Sequence, residues 1–463
     1  MTGSDLIRLG FQPGPAIGVA LKSLRKAVKH LDKEAVEREL KAVLADPVRH
    51  AAHPYFAEVA RVLIEEAHRP VFHERSEPAP YKVWGEDLEE GAVEQMRQAA
   101  RLPVAVAGAL MPDAHIGYGL PIGGVLATEN AVIPYAVGVD IACRMRLSVF
   151  DIAAKDLERL SDQLVRGLQR ETKFGTGAAF QKPLEHEVLD EDWSVTPVTR
   201  GVFDKARVQL GTSGSGNHFV EFGVLSLESA DLGLEPGEYL ALLSHSGSRG
   251  AGATVADFYS RLARQRHPEL PPELSRLAWL DLNSSEGQEY WQAMNLMGRY
   301  AAANHAMIHQ RLTRAIGAKA IASVENHHNF AWKESHGGRD LVVHRKGATP
   351  AAPGVLGVIP GSMAAPGFVV RGKGNAQSLQ SASHGAGRRM SRTAAREKFR
   401  WSHFKDTLER AGVQLLSAGI DEAPGVYKDI HSVMSAQSDL VDVVARFDPR
   451  IVKMADAGEK PED

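Results

Sequence analysis

Cys143 is the only cysteine among 463 residues, and Asp140 precedes it by three positions. Both follow a glycine-rich run, MPDAHIGYGLPIGG, that starts at Met111. A thiol beside a carboxylate is half of a metal site. Histidines further along offer the other half: His218 in LGTSGSGNHFVEF, His245 in LLSHSGSRG, His327 and His328 in VENHHNF, and His384 in SASHGAGRR. Each lies in or beside a short strand-like or small-residue run. Gly in particular lets a backbone approach a ligand closely, and loops at strand ends are where sites are usually built. Any one of these histidines alone reads as a satisfied structural residue. Together with Asp140 and the thiol they make a donor set for one or two divalent cations. Ligand softness favours zinc. A thiolate can bridge two ions, and a two-metal clamp suits chemistry at phosphorus.

Other residues point at phosphate. SGSGN and HGAG are small-residue turns whose backbone N–H groups can cradle an anion. Arg249 follows His245 by four residues, Arg345 and Lys346 flank a Gly turn in HRKGAT, and Arg388, Arg389 and Arg392 follow His384. The arginine fork matches phosphate oxygens, although each of these cations reads equally as solvated surface. None of the glycine runs is a Walker motif or a dinucleotide fingerprint.

The elements that must position these residues are mixed. Residues 1–70 read as a small helical region, with helical spacing from Ala16 to Leu44 and again from Tyr55 to Ala67. Arg69 to Trp84 is Pro-rich and reads as a connector. From Leu102 short apolar runs alternate with Gly-rich turns, as strands do: VAVAGALM, GGVLAT, NAVIP and MRLSVF. Ile152 to Gln169 reads as an amphipathic helix and Lys173 to Gly201 as a loop-rich insertion. Strands resume at Val208 to Phe222 and Leu240 to Ser244. Glu286 to Ile316 is the longest helical pattern, its methionines serving as core filler. Asp340 to Val370 returns to strands, Arg388 to Leu408 reads as helical, and Val426 to Lys453 as a helix with a closing strand. Met454 to Asp463 is an acidic tail. The expected class is α/β, mixed α+β: one large fold of sheets flanked by helices over residues 71–463, after the helical region 1–70.

A lone cysteine excludes an intramolecular disulfide and fits a reducing compartment. The net charge of −3 neither marks nor excludes a nucleic-acid binder, because a basic groove can sit on a neutral protein. No apolar run is long enough to span a membrane, and MTGSDLIRLGFQPG lacks the features of a secretory signal. A cytoplasmic protein is expected.

The chain resembles the RtcB family of RNA-splicing ligases. The matching segments are MPDAHIGYGLPIGG, GVDIACRMRL, LGTSGSGNHFVEF, HSGSRG, HHNF, HRKGAT, IPGSM, SHGAGRRMSR and DEAPGVYKDI, in the family's order. The resemblance implies joining of an RNA 3′-phosphate or 2′,3′-cyclic phosphate end to a 5′-hydroxyl, with GTP and two Mn²⁺ ions as cofactors; on the metal it overrides the softness argument. It implies Asp140, Cys143, His218, His245 and His328 as metal ligands, with Cys143 bridging, and His384 as the nucleophile that carries GMP. It implies guanylate contacts from Asn217, Phe219, Glu221, Asn329, Pro360, Gly361, Ser362, Met363, Ala386, Gly387, Tyr427 and Lys453. Arg249 and Arg392 are implied as RNA or phosphate contacts. The expected partner is RNA, with an activating protein as a further candidate, no membrane, and a monomeric state. Guanylyl transfer to DNA ends and a dinuclear phosphoesterase are the alternatives. The sequence departs from the family pattern at Pro350, Ala364 and Gly367, none of them a metal or nucleophile position.

Overall fold

The computed structural model describes residues 1–67 and 72–459 and divides the chain into two compact units, Met1–Phe72 and His73–Asp463. In the first, helices Gly3–Arg8, Pro15–Ala27, Lys33–Ala45 and Ala57–Ala67 bury Leu6, Phe11, Leu24, Leu40, Phe56 and Val59. The helical stretch expected from Ala16 to Leu44 is two helices. Asp32 caps the second by accepting from the Ala35 amide at 2.8 Å, which satisfies an N–H that has no partner inside the helix.

The second unit is built on two sheets. The larger has eight strands, seven of them in the order Leu356–Ile359, Gly367–Gly372, Val441–Met454, Phe219–Leu227, Gly237–Ser246, Arg144–Ala153 and Ala320–His327; the eighth, Gln414–Ser417, pairs beside Val441–Met454. This sheet nearly closes on itself. Asn326, on one edge strand, accepts from the Val358 amide at 2.8 Å on the other edge and donates to its carbonyl at 3.4 Å. Alternation along the strands sorts the side chains. Met145, Leu147, Val149, Leu243 and Phe447 face inward. Phe150, Phe222, Leu240 and Leu242 face outward, against Leu164 and Leu168 of helix Leu157–Glu171 and Ile308 and Leu312 of helix Ser285–Ala315. Each such side chain contributes about 1.5–3 kcal/mol of burial. Met294 and Met297 of the long helix are fully buried.

The smaller sheet runs Tyr81–Val83, Ala105–Tyr118, Leu120–Thr128, Arg339–Lys346 and Phe330–His336. Part of the expected connector is therefore an edge strand, Tyr81–Val83, paired with Gly108–Leu110; Arg69 to Val71 lie outside the described residues, as do the last four of the tail.

Three further expectations need correction. Pro197–Gln209 is a helix, opened by a Thr196–Thr199 capping box and Pro at its first position, so the expected strand begins only at Phe219. The amphipathic helix starts at Leu157, after a short turn over Ala154–Asp156. Arg388 to Leu408 is interrupted, with helices Arg392–Lys398 and Lys405–Ala411 separated by a turn at Trp401–His403. Helix Arg249–Arg266 was not anticipated. Its small-residue start resembles a turn, but Val255, Tyr259 and Ala263 make a buried stripe. Among the described residues no helix is long and apolar enough to cross a membrane.

Candidate metal centre and nucleotide cavity

Strand register gathers the histidines. Met145 lies opposite His245, His245 opposite Phe219, and Arg144 opposite His327. Cys143, His218 and His328 adjoin these paired positions, so all reach one end of the larger sheet. Two backbone bonds tie the cysteine turn to the histidine turn: Ala142 N–H donates to the Asn329 carbonyl at 2.8 Å, and His328 N–H to the Cys143 carbonyl at 2.9 Å. Ala142 and Asn329 both adopt left-handed backbone, φ 56° and 59°. For residues with a Cβ this conformation is unfavourable and is kept where surrounding structure enforces it.

Cys143 Sγ lies 3.0 Å from His245 Nε2 and 3.4 Å from His218 Nε2. His218 Nε2 is 3.0 Å from Asp140 Oδ2, and His245 Nε2 is 3.1 Å from His328 Nε2. Two buried triads result, Asp140–Cys143–His218 and Cys143–His245–His328, and they share the sulfur. Proton positions fit a cation. His245 Nδ1 sits 3.1 Å from the Asn217 carbonyl, which can only accept, so Nδ1 carries the hydrogen and Nε2 presents a bare lone pair to the sulfur. Burial pushes His245 down to about 3 and His328 well below the usual imidazole range, so both are neutral donors. Burial opposes ionisation of Asp140, yet the hydrogen bond and charge of His218 hold its carboxyl below the usual range. Gly247 makes the approach possible, since a Cβ there would fall 2.1 Å from Asp140 Oδ1.

His384 stands beside this cluster, its ring centroid 4.9 Å from that of His328. Asp113, fully buried, places one oxygen 2.7 Å from His384 Nδ1 and accepts from the His384 and Gly385 amides at 3.2 and 3.3 Å. Burial opposes its charge, but the hydrogen bond from His384 keeps its carboxyl below the usual range. A carboxylate only accepts, so Nδ1 holds the proton and Nε2 keeps its lone pair. Gly387 packs on the Asp113 backbone with φ 75°, where a Cβ would lie 2.0 Å from the Asp113 carbonyl oxygen.

His384 and His245 line a cavity at the mouth of the nearly closed sheet. Asn217, Phe219 and Glu221 also line it, as do Pro360, Gly361, Ser362, Met363, Ala386, Gly387 and Tyr427. Burial pushes the Glu221 carboxyl up to about 8. The structure places the other anticipated residues elsewhere. Asn329 accepts from the Gly347 amide at 2.8 Å and so fixes the turn next to His384. Lys453 donates to the Leu168 carbonyl and Thr172 Oγ1, both at 3.1 Å, while its strand neighbours Val452 and Met454 line the cavity. Arg249 is buried and donates to Thr212 Oγ1 at 3.0 Å and the Gly175 carbonyl at 3.3 Å. Arg392 pairs with Asp421 and Glu422. Arg345 forms a fork with Glu334 at 2.6 and 3.0 Å. Sequence reasoning named no role for Asp113, His115 or Glu422, although the last two line the cavity and all three lie in the segments MPDAH and DEAPGVY; Arg388, read from sequence as a phosphate candidate, lines it as well.

Fold and site define a mixed α/β protein in which a shared cysteine sulfur joins two triads that could hold cations, beside a carboxylate-oriented histidine. The model of the family described as tRNA-splicing ligase RtcB matches residues 95–201 and 191–454. The chain is 34% identical over 403 residues to the RNA-splicing ligase RtcB of Escherichia coli K12, covering 80% of this chain and 96% of that relative. It is 33% identical over 436 residues to the tRNA-splicing ligase RtcB of Archaeoglobus fulgidus, covering 78% and 88%. The protein belongs to the RtcB family.

Proposed function

We propose that this chain is a GTP- and Mn²⁺-dependent RNA ligase that joins 3′-phosphate or 2′,3′-cyclic phosphate ends to 5′-hydroxyl ends through a His384–GMP intermediate. The observation that carries the reading is the Asp113–His384 hydrogen bond, which leaves His384 Nε2 as a nucleophile beside the paired triads. The catalytic unit is His73–Asp463, since every residue assigned here lies in it. Asp140, Cys143, His218, His245 and His328 would hold two cations, which when bound offset phosphate charge and orient in-line attack.

Nε2 of His384 bonds to the α-phosphorus of GTP, and the bond to the β-phosphate oxygen breaks, releasing pyrophosphate. Asp113 offsets the positive charge that develops on the ring. An oxygen of the RNA 3′-phosphate then attacks the same phosphorus and the P–N bond breaks, returning the imidazole. The 5′-hydroxyl next attacks the activated 3′-phosphorus, and GMP leaves. Splitting the exchange this way turns one difficult step into easier ones. A cyclic phosphate is first opened by water.

Guanine recognition falls to Asn217, Phe219, Glu221 and Tyr427 in the cavity wall. An ionised Glu221 matches the adjacent N–H donors of guanine. Before nucleotide binds, its carboxyl titrates near 8 against 4.5 for an ordinary glutamate. Between those values the folded chain keeps a proton that the unfolded chain releases, so stability falls as pH rises through that window. Glu221→Gln is therefore expected to raise the melting temperature more at pH 8 than at pH 5. It is also expected to cut the preference for GTP over ATP by at least about tenfold. Melting curves at both pH values and competition binding check the two halves.

The function itself is tested by incubating the protein with GTP, Mn²⁺ and labelled ends. Joined RNA that requires GTP and is absent with His384→Ala supports the reading. Capped but unjoined DNA 3′-phosphate would favour end capping. Phosphate release without GTP, unaffected by His384→Ala, would mark a phosphoesterase. The proposed setting is the cytoplasm, with the chain acting as a monomer.

A further inference from the structure

The strand that carries Asp113 and His115 ends in a feature the chemistry above does not use. Tyr118 is 60% exposed there and Ile116 49% exposed. Arg276, itself exposed, lays its guanidinium 4.2 Å from the Tyr118 ring centroid and 5.5 Å from that of Tyr135. The backbone beneath is held on several sides. Gln95 donates to the Gly117 carbonyl at 2.7 Å and accepts from its amide at 3.0 Å. Glu89 accepts from the Ile116 amide at 3.0 Å, and Lys346 donates to the Tyr118 carbonyl at 2.5 Å. Gly119, with φ 74°, lets the turn close on Arg276, whose carbonyl would lie 3.1 Å from a Cβ there. A tyrosine fixed in this way offers a planar face at low entropic cost, and a stacked guanidinium adds cation–π attraction for a further ring.

The backbone under this shelf leads to the turn that packs on the nucleophile. Lys346 is followed by Gly347, where a Cβ would sit 3.1 Å from His384 Cε1. Along the strand, Tyr118 lies three residues beyond His115, which lines the cavity. The strand register shifts between the two, and three residues span at most about 10 Å, within about three nucleotide rises of roughly 3.4 Å. We infer that Tyr118 and Arg276 form a stacking shelf for an unpaired base of the RNA strand that carries the 3′-phosphate, about three nucleotides from its reacting end. The inference rests on the RNA-end reading above, because that phosphate must reach His384. Aromatic stacking tolerates any base, since every base has a π face, and so suits an enzyme that meets ends of varied sequence.

The test measures binding of short 3′-phosphorylated RNA oligonucleotides to the full chain by fluorescence anisotropy, each carrying one abasic residue at a different distance from the end. Wild-type protein should lose affinity when the abasic residue lies a few nucleotides from the 3′ end. Tyr118→Ala should weaken binding of the intact oligonucleotide by about five- to a hundredfold. Tyr118→Trp should restore it, and Arg276→Ala should cause a smaller loss. The Tyr118→Ala penalty should vanish for the one abasic position that already costs affinity. The inference is overturned if wild-type affinity is indifferent to abasic position. It is also overturned if the Tyr118→Ala penalty is absent, or the same at every position, as a brace for the hairpin would give. Failure of GTP to label His384 would bear on the proposed function instead, and would leave the binding result standing.

Discussion

Cys143→Ala is expected to reduce tightly bound divalent cation from two per chain to less than one, because its sulfur is the donor common to both triads. Without it, Asp140 and His218 remain on one side and His245 and His328 on the other. Catalytic metal sites generally need three protein ligands, and two-ligand remnants fall short of that. Each remnant should bind at least about a hundredfold more weakly, since even outer partners of metal ligands are worth roughly 10–100-fold. The thiol is 2% exposed, so a small loss of packing accompanies the substitution. Melting curves separate that from metal loss, and metal content after dialysis, read by elemental mass spectrometry, gives the count. Two retained cations in a folded Cys143→Ala protein would remove the shared-thiolate centre from this account.

Asp113→Asn should slow attachment of nucleotide to His384 by about 10²–10⁴-fold, the range seen when an orienting aspartate becomes an amide. The amide keeps the shape but loses the charge. One Asp113 oxygen accepts from His384 Nδ1 and from the His384 and Gly385 amides, so the amide oxygen takes that place and the ring keeps its proton on Nδ1. What is lost is the negative charge that offsets positive charge on the modified ring. Single-turnover kinetics with labelled GTP checks this, with GTP affinity expected to change far less than the rate. An unchanged rate would mean that the Asp113 contact is only structural.

The donor cluster was legible in the sequence because its residues sit in long, distinctive segments, each with a donor close to Gly, Ser or Asn. Asp113 was not, because its partner His384 lies 271 residues downstream and nothing local announces the pair. For the arginines the sequence shows the charge but not the partners. Next to a glycine turn, Arg249 and Arg392 look like phosphate contacts, but sequence cannot show that the first faces a threonine and a buried carbonyl and the second two acids. Lys453 was within reach of a simple rule. Val452 and Met454 line the cavity, and the two-residue period of a strand turns the residue between them to the other side. The helices at Pro197–Gln209 and Arg249–Arg266 were hidden by Gly and small residues that resemble turns, while the 31-residue helix Ser285–Ala315 stood out through its long apolar stripe.

The central claim is that His384 takes up a nucleotide covalently. Its most direct test is the intact mass of the purified protein after incubation with GTP and Mn²⁺, compared with His384→Ala treated alike. One GMP is expected on the wild-type chain and none on the variant. An unmodified, metal-loaded wild-type protein would contradict it, as would a GMP adduct that persists without the imidazole.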